Sequence, residues 1–186
     1  METTLIAAGV VTILVIALVV RQVVRGCART VFAAPPEPSP EDIAASRTPK
    51  PLPPAVPLPP DIDPDALTAQ AGSVLVAWMQ AVNSRDADKL DQNACALRTQ
   101  LADEIAQQTA KGQRERFERP SVHGAVVSAY EAETGELTVT LAAQAVHYIA
   151  CGGQIARGRE DLPEQMLWEM RGKLDGSWTP TAVHLM

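Results

Sequence analysis

Residues 165–185 read QMLWEMRGKLDGSWTPTAVHL, and this stretch predicts the end of an antiparallel sheet. Apolar side chains recur at every second position before the turn: Met166, Trp168 and Met170. A period of two is typical of a strand with one buried face, which predicts a strand over 165–174. Asp175-Gly176 is a strong hairpin signal. Pro180 in the following strand, 177–185, favours a sheet edge or a bulge, because proline cannot donate to a strand ladder.

Two earlier segments predict further strands. Residues 137–149, LTVTLAAQAVHYI, begin with the same alternation of apolar and polar side chains and are followed by Gly152 and Gly153. Before them, residues 120–130 place apolar side chains on one face, and Glu133-Thr134-Gly135 predicts the turn between the two segments. We therefore expect a sheet of about four strands.

Two helices are predicted ahead of the sheet. Asp63-Pro64-Asp65 combines an N-cap oxygen, a proline in the first turn and an acid near the positive helix end, and the helix should extend to about Val82. Its apolar stripe has three- and four-residue steps: Leu67, Ala71, Val74, Trp78 and Ala81. A second helical region should extend from Leu90 to Lys111-Gly112. We expect the basic run at 111–119, which two glutamates interrupt, to be a solvated connection rather than a lipid-headgroup site.

The N-terminal segment predicts a membrane anchor at residues 1–33. Its uncharged run LIAAGVVTILVIALVV, extended to Val24, gives about 30 Å of helix, which spans a bilayer. The anchor residues are Leu5, Ile13, Leu14, Ile16, Leu18, Arg21 and Arg25. Arg21 can snorkel to the headgroups. A cleaved signal peptide is the competing interpretation, but the basic region expected before its apolar run is missing.

The arginines that follow the apolar run set the expected orientation. Arg21, Arg25 and Arg29 lie after it, whereas no lysine or arginine precedes it. The positive-inside rule then predicts a single-pass membrane protein whose C-terminal domain is cytoplasmic.

A proline-rich stalk is predicted at residues 34–64, which hold 12 of the 15 prolines. This composition favours extended polyproline II and disfavours a core. We expect a flexible spacer, with docking of Pro51–Pro54 in an aromatic groove as the alternative. The compact domain should then occupy residues 65–186.

Composition disfavours several kinds of partner. The chain has 16 Lys and Arg against 22 Asp and Glu, a net charge of −6, which is the wrong sign for a nucleic-acid binder. Three cysteines and three histidines are too scattered to predict a metal site or a disulfide framework. We expect neither a metal nor a cofactor.

Residues 77–90, AWMQAVNSRDADKL, and Trp168-Glu169-Met170-Arg171 ahead of Trp178 resemble the nuclear transport factor 2-like superfamily. Within it, the sequence is most similar to the C-terminal domain of the mitochondrial import-motor family, translocase of the inner membrane subunit 44, and its bacterial relatives. The resemblance implies an α+β fold in which N-terminal helices pack on a curved antiparallel sheet to form a cone with a pocket.

The candidate pocket or ligand-lining residues are Trp78, His147, Tyr148, Met166, Trp168 and Met170. His147 and Tyr148 are adjacent on a strand, so they should lie on opposite faces and cannot form a simple acid and base pair. His147 beside Asp86 or Glu169 would be a candidate general base. The sequence contains no nucleophile elbow and no phosphate-binding loop, and we expect no catalytic residues.

These observations predict a noncatalytic, membrane-anchored scaffold or adaptor. Its domain would bind a protein partner, or a lipid or peptide ligand, near the bilayer, and protein translocation or envelope assembly are the expected settings. Two alternatives stay open. One is a bitopic subunit of a secretion or conjugation apparatus, and the other is an isomerase- or hydrolase-like enzyme that uses the cone pocket.

Overall fold

The computed structural model describes residues 39–186, so the predicted anchor at 1–33 lies outside the described residues. Within residues 39–186, every helix is too short or too polar to cross a bilayer. The described chain forms helix α1 (Pro40–Arg47), helix α2 (Pro64–Ser84), a turn of 3-10 helix (Ala87–Lys89), helix α3 (Cys95–Ala110) and four strands. The strands are β1 (Gln113–Glu131), β2 (Glu136–Cys151), β3 (Gln154–Asp175) and β4 (Ser177–Leu185).

Helix α2 begins where the sequence predicts. The carboxylate of Asp63 accepts hydrogen bonds from the backbone N–H groups of Asp65 and Ala66, and Pro64 occupies the first turn. The helix ends at Arg85, whose φ of 56° stops the right-handed spiral. Helix α3 begins later than predicted, at Cys95, because the chain first forms the 3-10 turn that Asp86 caps.

The strands form one antiparallel sheet in the order β1-β2-β3-β4, which confirms the predicted α+β class with helices on a four-stranded sheet. Pro180 lies in the edge strand β4, beside a register shift between Arg171 and Gly172, as the sequence predicts. The core lies between the sheet and helices α2 and α3, and the face that lines it is called the inner face. The largest fully buried side chains of the core include Trp78, Phe117, Leu141 and Met170.

Two strands are longer than predicted. Strand β1 begins at Gln113, so the prediction of a solvated connection over 111–119 is wrong from Gln113 onward. Phe117 is the single large apolar side chain in that run, and its charged neighbours hide the period of two. Strand β3 begins at Gln154 instead of Gln165, directly after a turn in which Gly152 and Gly153 have positive φ.

The proline-rich segment is also corrected by the structure. Residues 50–62, called the strap below, pack on the domain, and Val56, Leu58 and Ile62 contact the core. The backbone N–H of Val56 donates to the carbonyl of Val127 on β1, at 3.0 Å. Proline content removes donors but does not prevent the residues between prolines from packing.

The strap also approaches strand β1 at Gly124. Leu52 Cδ1 lies 3.0 Å from the point that a Cβ on Gly124 would occupy. Gly124 pairs with Ala142, and both Ala142 and Val146 are buried although they do not belong to the main core. Glycine at position 124 leaves room for this close approach.

Candidate functional site

A cavity of about 180 Å³ opens between the two long helices and the inner face of the sheet. Trp78, Phe117, Trp168 and Val183 are nearly fully buried around it. The lining side chains are Trp78 from α2, Glu104 from α3, Glu115 and Phe117 from β1, Trp168 from β3, and Val183, His184 and Leu185 from β4. Aromatic walls thus meet two carboxylates in one concave site.

The register of the sheet brings the aromatic walls together. Phe117 is paired with His147 on β2, and its ring stacks on the imidazole at 4.5 Å with an interplanar angle of 3°. Trp168 meets the same phenyl ring edge to face, at 5.7 Å. Phe117 is therefore held by an aromatic contact on two sides, and the wall that it forms is rigid.

His147 lies behind Phe117 between two carboxylates from the neighbouring strands. Its Nε2 is 2.8 Å from Glu115 Oε1, and its Nδ1 is 3.7 Å from Glu164 Oε2. Burial acts to lower the pKa of His147, but the hydrogen bond to Glu115 and the nearby carboxylate of Glu164 outweigh it and raise that pKa to about 9. The imidazole is therefore a cation at neutral pH and is unsuited to act as a general base.

The two carboxylates that line the cavity have different surroundings. Glu115 accepts hydrogen bonds from His147 and, at 2.7 Å, from Gln108. Glu104 accepts one from Gln100, at 2.9 Å. Burial raises the pKa of Glu104 and the Gln100 bond opposes this; the nearby charge of Glu115 raises the pKa further, and His184 acts to lower it. Glu104 is thus the less compensated of the two charges.

Trp168, which lines the cavity, carries a buried hydrogen-bond donor without a partner in the described chain. Its side chain is 4% exposed, and among the described residues its Nε1–H has no partner. A buried polar group without a partner costs about 1–3 kcal/mol.

The structure separates the six candidate pocket residues into groups. Trp78 and Trp168 line the cavity, and His147 supports it from behind Phe117. Met166 and Met170 are core residues, 1% and 0% exposed, and do not line it. Tyr148 points to the opposite face, where its hydroxyl donates to Glu118, which confirms that it cannot act together with His147. That hydrogen bond is the main cause of the raised pKa of Tyr148.

Sequence reasoning missed six of the lining residues and named the wrong carboxylates for His147. The six are Glu104, Glu115, Phe117, Val183, His184 and Leu185. The partners of His147 are Glu115 and Glu164, not Asp86 or Glu169. Glu169 instead accepts a hydrogen bond from Arg171 on its own strand. Glu115 and Phe117 are two positions apart, so they lie on the same face once β1 is recognised as a strand. This spacing could have placed both residues on the inner face.

A wider groove lies between α2 and β1, with a volume of about 710 Å³. Its floor is formed by small side chains that include Gly72, Gly124 and Ala125. It is shallow and open, and none of its lining residues is fully buried. Since a binding site needs enclosure and convergent polar groups, the smaller aromatic cavity is the better candidate.

Comparison with known proteins gives little direct guidance. No family model matches the sequence, and no curated protein matches it. Among solved structures, the intermembrane space region of the chloroplast protein ARC6 is similar at 11% identity, covering 68% of this chain and 98% of that chain, with a TM-score of 0.39. A likeness at this level bears on neither function nor partners. Between residues 39 and 186, no group of three acidic, cysteine or histidine side chains is arranged to hold a metal ion.

Proposed function

We propose that the protein is a membrane-tethered, noncatalytic adaptor that binds a protein partner in the cavity between Trp78, Phe117 and Trp168. The observation that carries this proposal is the cavity itself, with rigid aromatic walls and an apolar rim. Leu185, which lines it, is 45% exposed, and it and Met186 are the exposed large apolar side chains of the described chain. Exposed apolar groups beside a concave site are typical of a partner-binding surface.

The chemistry of the titratable groups supports binding over turnover. His147, which packs behind Phe117, is protonated at neutral pH and is paired with two carboxylates. An enzyme of the isomerase or hydrolase kind needs a base that titrates near the working pH. The resemblance to the nuclear transport factor 2-like superfamily supports the same proposal, since folds of that type curl a sheet around a pocket.

Membrane tethering would raise the effective concentration of the domain near other membrane components. The uncharged run at residues 5–20 and the arginines that follow it support a single-pass anchor with the domain in the cytoplasm. A reporter fused after residue 186 tests this orientation. Activity of a reporter that works only outside the cytoplasm would overturn it and favour a bitopic secretion subunit.

Blocking the mouth of the cavity tests the adaptor function. In full-length protein kept in its native membranes, chemical crosslinking followed by mass spectrometry would be compared between wild type, Leu185→Trp and Thr181→Trp. Leu185 lines the cavity, whereas Thr181 is exposed on β4 and does not. We expect a protein captured by wild type and by Thr181→Trp to be reduced at least about tenfold in Leu185→Trp, as for loss of a central contact. Equal capture by all three proteins would overturn the proposal.

A further inference from the structure

We infer that the cavity recognises a positively charged side chain, arginine or lysine, presented by the partner protein. This inference rests on the proposed function and specifies the chemistry of the partner. It is carried by three features of the site: its size, its aromatic walls and its partly compensated negative charge.

The size of the cavity fits one long side chain. At about 180 Å³ it is smaller than the roughly 300–1,000 Å³ typical of sites for drug-sized ligands. The walls formed by Trp78, Phe117 and Trp168 are apolar, and they suit the aliphatic stem of lysine or arginine. Aromatic rings also attract a cation, through the negative charge of their faces.

The charge of the site favours a cation. Glu104 and Glu115 are the two carboxylates that line the cavity. Glu115 is paired with His147, so Glu104 is the lining carboxylate without an ion-pair partner. None of the eight lining residues is lysine or arginine. The guanidinium of Arg85 donates instead to the backbone carbonyls of Gln113 and Ile105. His184 lines the cavity and acts to lower the pKa of Glu104, but burial and the charge of Glu115 outweigh it, so the negative charge is only partly offset from within the site.

Glu104 is the group that a cation would compensate most. Burial and the charge of Glu115 both raise its pKa, so its ionised form is destabilised in the absence of a partner. An ammonium or guanidinium placed between the two carboxylates would reverse that effect through charge-assisted hydrogen bonds.

Capped amino acids test the inference directly. Full-length protein in lipid nanodiscs would be titrated with N-acetyl-arginine amide, N-acetyl-citrulline amide and N-acetyl-norleucine amide, followed by tryptophan fluorescence. Citrulline matches arginine in shape but has no charge. We expect arginine to bind at least about fivefold more tightly than either uncharged probe, the difference that one cation–π contact and one charge-assisted bond provide.

Two variants locate the effect. Glu104→Gln removes the negative charge but keeps the shape of the side chain, and the hydrogen bond to Gln100 can form again. This variant should therefore lose most of the preference for arginine over citrulline. Asp103→Asn removes the same charge from the adjacent exposed position and should leave the preference unchanged. Equal binding of arginine and citrulline, or no binding of arginine, would overturn the inference. An unchanged preference in Glu104→Gln would do the same. The proposed function is decided separately, by the crosslinking of wild type and Leu185→Trp.

Discussion

Gln100 on helix α3 pairs its side-chain amide with both backbone groups of Val183 on the edge strand β4. Its Nε2 donates to the Val183 carbonyl at 2.7 Å, and its Oε1 accepts from the Val183 N–H at 3.1 Å. Asn83 on α2 does the same at the other edge, where its amide pairs with the N–H and carbonyl of Phe117 at 2.8 and 2.6 Å. Unpaired strand edges invite association, so these two amides protect the sheet where it meets the helices.

Replacement of Gln100 should destabilise the domain. Gln100→Leu leaves the N–H and carbonyl of a buried residue without partners, and the expected loss is about 1–3 kcal/mol in the free energy of unfolding. Denaturant unfolding of the protein measures it. Gln107→Leu is the matched control, because Gln107 is exposed on the same helix and should change stability by less than about 0.5 kcal/mol. Equal effects of the two substitutions would refute a protective role for this amide.

The contact between the strap and β1 gives a second prediction. Val56→Pro removes the N–H that donates to Val127 and part of the packing of Val56, so it should cost about 1–2 kcal/mol. The strap should then be cleaved faster by a protease of broad specificity. Ala55→Pro changes an exposed neighbour and should leave both stability and the cleavage rate close to wild type. Rapid cleavage of the wild-type strap would contradict the docked arrangement.

The charge state of His147 predicts how stability depends on pH. Its pKa is raised from 6.5 to about 9 in the folded protein, so its contribution is complete below pH 6.5 and is lost as the pH rises through 9. We expect unfolding free energy to fall by roughly 2 kcal/mol over this interval, after allowing for partial exposure. His147→Gln should flatten that dependence. A slope that is identical in wild type and His147→Gln would show that other groups cause it.

Much of the fold follows from local patterns in the sequence. Asp63-Pro64-Asp65 starts α2, and Asp175-Gly176 joins β3 to β4, because capping and turn chemistry depend on neighbouring residues. The first half of β1 was missed because a charged residue, Glu115, lies on its inner face. Glu115 is held there by its contact with His147 of β2, which local sequence does not reveal. The local periodicity of the sequence does not predict contacts between residues that are far apart along the chain.

The same limit applies to the candidate site. Trp78 and Trp168 are large apolar residues at positions with clear periodicity, so sequence reasoning could place them on buried faces. Glu104 and Leu185 belong to the site only because α3 crosses the end of β4, an arrangement that Gln100 and Val183 fix. The strap was misjudged for a related reason. Composition describes the intrinsic preference of a segment, whereas its docking depends on the surface that the rest of the chain offers.

Site-specific photocrosslinking tests the central claim most directly. A photoreactive residue would replace His184 at the cavity or Glu133 in the turn between β1 and β2, each in full-length protein in native membranes. Both positions are exposed, but Glu133 belongs to the opposite end of the sheet. The account predicts one protein partner captured from position 184 and not from position 133, with capture reduced by Leu185→Trp. Capture of the same proteins from both positions, or of none from position 184, would contradict it.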